Sequence, residues 1–164
     1  RARHLEGPMN PPTSLREQLV RDESYRRFPY FDCCGKPFRE CRCPKKGKLT
    51  IGIGWNLEDD GITLEEAEYF LDRKVPLYTA GVLAHIPFAH RLYVVRRAVL
   101  VNLAFNMGIG DANSGLLGFR KMLAAMERGD WPEAARELLD STYHRQVGIR
   151  AERLAEQLVS GEWR

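Results

Sequence analysis

The 164 residues suffice for one domain with a substantial buried core, or for two small lobes sharing a helix. Charged residues make up 29% and hydrophobic residues 44% of the chain, the balance of an ordinary globular protein, and no apolar run approaches the roughly 20 residues of a membrane span. The net charge of +3 is too small to argue for nucleic acid, but it is unevenly placed. Between Cys33 and Thr50, Lys36, Arg39, Arg42, Lys45, Lys46 and Lys48 face Glu40 alone. The start, Arg1-Ala2-Arg3-His4, lacks an initiating Met and a signal-peptide pattern, and Pro8, Pro11 and Pro12 follow. Residues 1–12 are therefore expected to be a linker or a remnant of processing or expression, with one folded region over 13–164.

Ser14-Leu15-Arg16-Glu17 is a capping box, which predicts a first helix from Ser14 to about Arg27. From Tyr30 to Asn56 the cues are Pro, Gly and short alternation, with Lys48 to Ile53 the clearest strand of a small antiparallel sheet or hairpin. Thr63-Leu64-Glu65-Glu66 is a second capping box. It opens a helix with Leu64, Ala67, Phe70 and Leu71 on its apolar face, expected to end or kink at Pro76. Residues 89–107 carry an apolar arc too wide for a surface helix and predict the central buried helix. Further helices are expected over 115–126, over 131–139 after the Asp130 cap with Pro132 in its first turn, and over 150–159 before Gly161. The fold class is α+β, a small antiparallel sheet lobe over about 29–58 and a larger helical lobe over about 63–164, with a ligand cleft expected between them.

Leu15, Leu19 and Glu23 recur every fourth residue, so Glu23 stands where an apolar side chain was due. Partial desolvation there would raise its pKa, as a general acid for glycosidic cleavage requires. Asp32 follows Phe28-Pro29-Tyr30-Phe31, where Pro29 rules out continuing helix, so the second carboxylate approaches from extended chain or a turn. Thr50 opens Thr50-Ile51-Gly52-Ile53-Gly54. Two solvated acids would be the plain reading of Glu23 and Asp32 taken alone. Asn102 and Asn106, four apart on a buried helix, must find polar partners or line a cleft.

Glu23, Asp32 and Thr50 at this spacing resemble the active-site pattern of the phage-type lysozymes. Arg96-Arg97-Ala98, Asn102 through Gly108, Gly118-Phe119, Trp131 through Ala135 and Arg150 through Arg153 are also similar to signatures of that family. The resemblance covers nearly all of Ser14 to Trp163. It implies a lysozyme-like fold and hydrolysis of the β-1,4 bond between N-acetylmuramic acid and N-acetylglucosamine, with no cofactor and no catalytic metal. By the same resemblance Glu23 is the general acid, Asp32 and Thr50 hold and activate water, Arg150 pairs with the catalytic glutamate, and Phe105 and Asn106 line the saccharide cleft. The implied partner is the peptidoglycan glycan strand, met in the bacterial periplasm or cell wall by a bacteriolytic phage enzyme made in the host cytoplasm or carried on a virion. It is expected as a monomer or as part of a larger phage protein, with neither nucleic acid nor membrane insertion. Rival readings are a lytic transglycosylase and a non-catalytic zinc-knuckle domain.

Two departures from the family pattern stand out. Trp55-Asn56 follows the Gly-x-Gly where the pattern has a histidine, and Trp55 is a candidate to stack on a sugar ring. A long basic loop holding Cys33, Cys34, Cys41 and Cys43 replaces a short turn. Two disulfides joining the 33/34 pair to the 41/43 pair are the preferred expectation, against a four-thiolate zinc site, whose usual C-x2-C spacing is missing, and four free thiols. His4, His85, His90 and His144 are scattered, without metal-ligand spacing, and Arg91, Arg96 and Arg97 are expected to be solvated or ion-paired.

Overall fold

The computed structural model describes residues 13–164, so the expected linker over 1–12 lies outside the described residues. Ser14 Oγ accepts from Glu17 N at 3.2 Å and starts α1, Leu15–Glu23. Glu17 Oε2 closes the turn by accepting from Thr13 N and Oγ1 at 2.7 and 2.8 Å, and these bonds hold the Glu17 carboxyl below its ordinary range. The helix stops four residues short of the expected Arg27. Ser24 takes a positive φ of 58°, rare outside glycine, and turns the chain into a strand.

That strand, β1 (Arg26–Phe31), is the edge of a three-stranded antiparallel sheet in the order β1-β2-β3. β2 is Leu49–Gly52 and β3 is Trp55–Asn56. Tyr30 pairs with Thr50 and Phe31 with Leu49, and the register shifts between there and Arg26, which pairs with Gly52. Pro29 falls inside this irregular stretch of an edge strand, a position where a missing N–H is tolerated. Thr50 pairs onward with Asn56 and Ile51 with Trp55. The central strand therefore carries Thr50, whose side chain is buried.

The chain divides between Ala67 and Glu68 into two compact units. Around that division runs α2, Leu64–His85, opened by a reciprocal box in which Thr63 Oγ1 accepts from Glu66 N at 3.2 Å and Glu66 Oε2 accepts from Thr63 N at 2.8 Å. The helix does not end at Pro76 but passes through it for nine more residues. Asp72 and Pro76 are both exposed, so water can satisfy the carbonyl that the proline leaves unpaired. The residue α2 buries is Val82, near its C-terminal end.

The second unit packs around α3, Val94–Met107, which buries Val95, Val99, Leu100, Leu103 and Ala104. The stretch expected to be one helix from residue 89 is instead a 3-10 turn, Pro87–Arg91, and then α3. Another 3-10 turn, Leu116–Gly118, precedes α4, Arg120–Glu127. The Asp130 carboxylate caps α5, Trp131–Leu139, by accepting from Glu133 N at 3.1 Å. A six-residue α6, Thr142–Val147, capped by Ser141, lies where no helix was expected, and α7 runs Ile149–Ser160. Leu116, Met122, Met126, Leu138 and Leu158 complete a core with the α3 residues. Truncating a fully buried leucine of this kind costs about 2–5 kcal/mol.

Arg96, expected to be solvated or ion-paired, has a structural task. Its guanidinium lies 4.3 Å over the Trp131 ring and donates to the carbonyls of Leu158 and Val159 at 2.9 and 3.2 Å, tying α3 to the last turn of α7. The buried Gln157 makes the return bond, from Nε2 to Val95 O at 2.8 Å. Among the described residues no helix is long and apolar enough to cross a membrane.

Candidate active site

Four of the predicted site residues, Glu23, Asp32, Thr50 and Trp55, lie in the first unit, and Phe105, Asn106 and Arg150 lie in the second. In the first unit, the end of α1 delivers Glu23 to the turn between β2 and β3. Its carboxylate sits on Gly54 so closely that a Cβ there would come within 2.8 Å of Oε2. Gly54 also has a positive φ of 71°, so glycine is required twice over, by backbone conformation and by close approach.

The partial desolvation expected for Glu23 is not supplied by its own unit. α1 buries none of its residues, Leu15 and Leu19 are exposed, and so is Glu23.

Asp32 stands immediately beyond β1, where the ladder continues for one more step. Asp32 N donates to Lys48 O at 3.1 Å, and Lys48 N donates to Asp32 Oδ1 at 2.8 Å. The partner left open by the absent histidine is therefore a backbone amide sixteen residues away. Gly47 makes room for it, since a Cβ on Gly47 would overlap Asp32 Oδ1 and approach Cys33 N to 2.7 Å. No positive φ is involved at Gly47, so the constraint there is space alone.

Thr50 lies between these two seats. Its Oγ1 donates to Lys48 O at 3.3 Å, the carbonyl that also receives Asp32 N. Glu23 and Asp32 flank β1, whose ends are separated by about 16 Å at the usual strand rise. Trp55, 41% exposed, uses its indole N–H on Gly61 O at 2.7 Å, which fixes the ring while leaving a face open.

Lys48 is not a free cation of the basic loop. Its Nζ lies 2.6 Å from Asp59 and 3.9 Å from Glu58, and the Asp59 pair pushes the lysine up and holds the aspartate below its ordinary range.

In the second unit, Arg150 grips Asn102. Nε and Nη2 both donate to Asn102 Oδ1, at 3.2 and 2.7 Å. Asn102 thus has a partner on α7, and the two line an apolar groove of about 550 Å³ with Phe105, Val101 and Trp163. Asn106 opens instead onto a different hollow, with Ser114, Arg120 and Gln146. Consecutive helix positions point about 100° apart, so Phe105 and Asn106 serve different surfaces of this unit.

The cysteines converge. The Sγ atoms of Cys33, Cys34, Cys41 and Cys43 all lie within 4.8 Å of one another, with no S–S bond between them. Cys33 and Cys41 approach to 3.8 Å, against about 2.05 Å for a disulfide bond. The neighbouring sulfurs of Cys33, Cys34 and Cys41 push the Cys43 thiol up to about 12. Gly47 and Gly54, the seats of the two acids, escaped the sequence reading. The available signal for Gly54 was its place in the Gly-x-Gly after Thr50; Gly47, in a basic loop, offered none.

Comparison with known proteins identifies the family. The phage lysozyme family matches residues 34–156, a span that begins just after Asp32 and includes Thr50 and Arg150. The chain is 30% identical over 169 aligned residues to the pre-baseplate central spike protein Gp5 of Enterobacteria phage T4, covering 93% of this chain and 28% of that protein. It is 26% identical over 104 residues to the probable T4-type lysozyme 1 of Dictyostelium discoideum, covering 61% of this chain and 58% of that one. The chain thus spans well under two thirds of either relative. With a three-stranded antiparallel sheet followed by a helical core, it belongs to the phage lysozyme family and has that family's α+β fold.

Proposed function

We propose that this chain is a peptidoglycan hydrolase, a muramidase that cleaves the β-1,4 bond between N-acetylmuramic acid and N-acetylglucosamine. One observation carries the reading. Two carboxylates are each seated on a glycine at opposite ends of one strand pair, with a buried threonine between them. Glu23 is the general acid that protonates the leaving oxygen. Asp32, fixed by Lys48 N, is the base that takes a proton from water, and Thr50 helps to hold that water.

Inversion is the proposed stereochemical course. Inverting enzymes keep their carboxyls about 6.5 to 9.5 Å apart to admit a water, whereas retaining ones stand at about 5 to 5.5 Å. A water held by Asp32 and Thr50 calls for the wider gap of an inverting enzyme. Phe105 and Arg150, which line one groove, belong to substrate binding, with Arg150 oriented by Asn102, whereas Asn106 opens onto another surface; Trp55 offers its exposed ring to a sugar. The similarity to a phage spike protein supports a place within a larger phage assembly that meets the cell wall.

The test is digestion of purified peptidoglycan. The expected outcome is falling turbidity with a matching rise in soluble reducing ends. Intact sacculi after prolonged incubation with folded protein would overturn the reading.

A further inference from the structure

The loop between β1 and β2 is hard to explain by packing. It runs through residues 32–48, and its one fully buried residue is Cys41. A connection of this length without an apolar core normally needs a covalent or metal staple. Two turns shape it. Cys34 N and Gly35 N both donate to Phe31 O, and Glu40 N and Cys41 N both donate to Pro37 O. An isolated bridge between Tyr30 and Pro37 sets the turns side by side, and this is how adjacent cysteines from an unusual spacing come to share one point.

We infer that Cys33, Cys34, Cys41 and Cys43 hold one zinc ion as four thiolates. With Zn–S bonds of about 2.3 Å, the edge of a tetrahedral four-sulfur site is about 3.8 Å. Cys33 and Cys41 already stand at that separation, and all four sulfurs fall within 4.8 Å of one another. A single ion fits this span, whereas a two-iron cluster spreads its ligands over two metals. Four thiolates around Zn²⁺ leave two negative charges. Around them the loop carries Lys36, Arg39, Arg42, Lys45 and Lys46, and Arg42 is held beside Cys41 by bonds to the carbonyls of Arg39 and Cys41 at 2.9 and 3.2 Å.

The ion is structural, because four protein ligands leave no open position. Cys33 follows Asp32, and Gly47 and Lys48 are the residues that seat its carboxylate, so the ion fixes both ends of the frame around Asp32. This last consequence rests on the proposed function, but the metal assignment does not.

Metal content decides it without reference to activity. The full chain is purified without chelator or reductant, under inert gas, and metals are counted by plasma mass spectrometry while thiols are counted before and after a zinc-binding dye is added. The expected result is about one zinc per chain, with thiols that react fully only once the ion is displaced. Cobalt(II) exchanged into the native chain should give the strong visible bands of a tetrahedral thiolate site, and Cys43→Ser should lower zinc at least tenfold. Four reactive thiols with no metal would overturn the inference. So would a mass four hydrogens lower, the sign of two disulfides, or iron in place of zinc.

Discussion

Glu23→Gln is expected to lower peptidoglycan lysis by about 10² to 10⁴, the usual contribution of a general acid, with the fold unchanged. The substitution keeps the side chain's length and its place over Gly54 while removing the proton that the leaving oxygen needs. No stability loss accompanies it, because Glu23 is exposed and closes a helix that buries none of its residues. Far-ultraviolet circular dichroism and the melting temperature should therefore match the parent while turbidity clearance collapses. Lysis within a few-fold of the parent would remove Glu23 from the acid role, whatever became of the other assignments.

Gly47→Ala should cost activity about 100-fold while leaving the chain folded, since an ångström of misplacement at a reacting group has an effect of that order. Gly47 has no positive φ, so its own φ admits alanine, and the conflict is with the Asp32 carboxylate and with Cys33 N, which a Cβ would approach to 2.7 Å. The new methyl overlaps Asp32 Oδ1 and drives the carboxylate off its 2.8 Å bond from Lys48 N. The loss should appear in kcat rather than KM, because a base is displaced and no sugar contact is touched. Gly52→Ala is the useful contrast. Its Cβ would meet nothing within 4 Å, so it strains a positive φ without moving either acid. Activity unchanged in Gly47→Ala would mean that Lys48 N is not what positions Asp32.

The parts of this molecule that were legible in its sequence are those set by neighbours in sequence. Ser14, Thr63 and Asp130 announced three helices because capping is a local bond over three residues. Gly161 marked the end of α7 through its left-handed φ of 72°. Local rules failed where distant pairing or solvent decided. The first helix stops early because Arg26 is claimed by Gly52, and Pro76 is tolerated because the carbonyl it frees faces water.

The site divides in the same way. The order Glu23, Asp32, Thr50 was readable as a spacing, but the bonds that orient its members were not. Asp32 takes a backbone amide sixteen residues on, and Arg150 takes a side chain forty-eight residues back. The cysteines carry the same lesson. Their spacing argued against a metal, and two turns stacked by the Tyr30–Pro37 bridge bring the sulfurs together regardless.

The central claim is hydrolysis at the muramic acid bond with water held by Asp32 and Thr50. Digestion of purified peptidoglycan in oxygen-18 water, followed by mass spectrometry of the released muropeptides, tests it most directly. One heavy oxygen at each new N-acetylmuramic acid reducing end is the predicted result. Unlabelled 1,6-anhydromuramic ends would contradict it and make the enzyme a lytic transglycosylase.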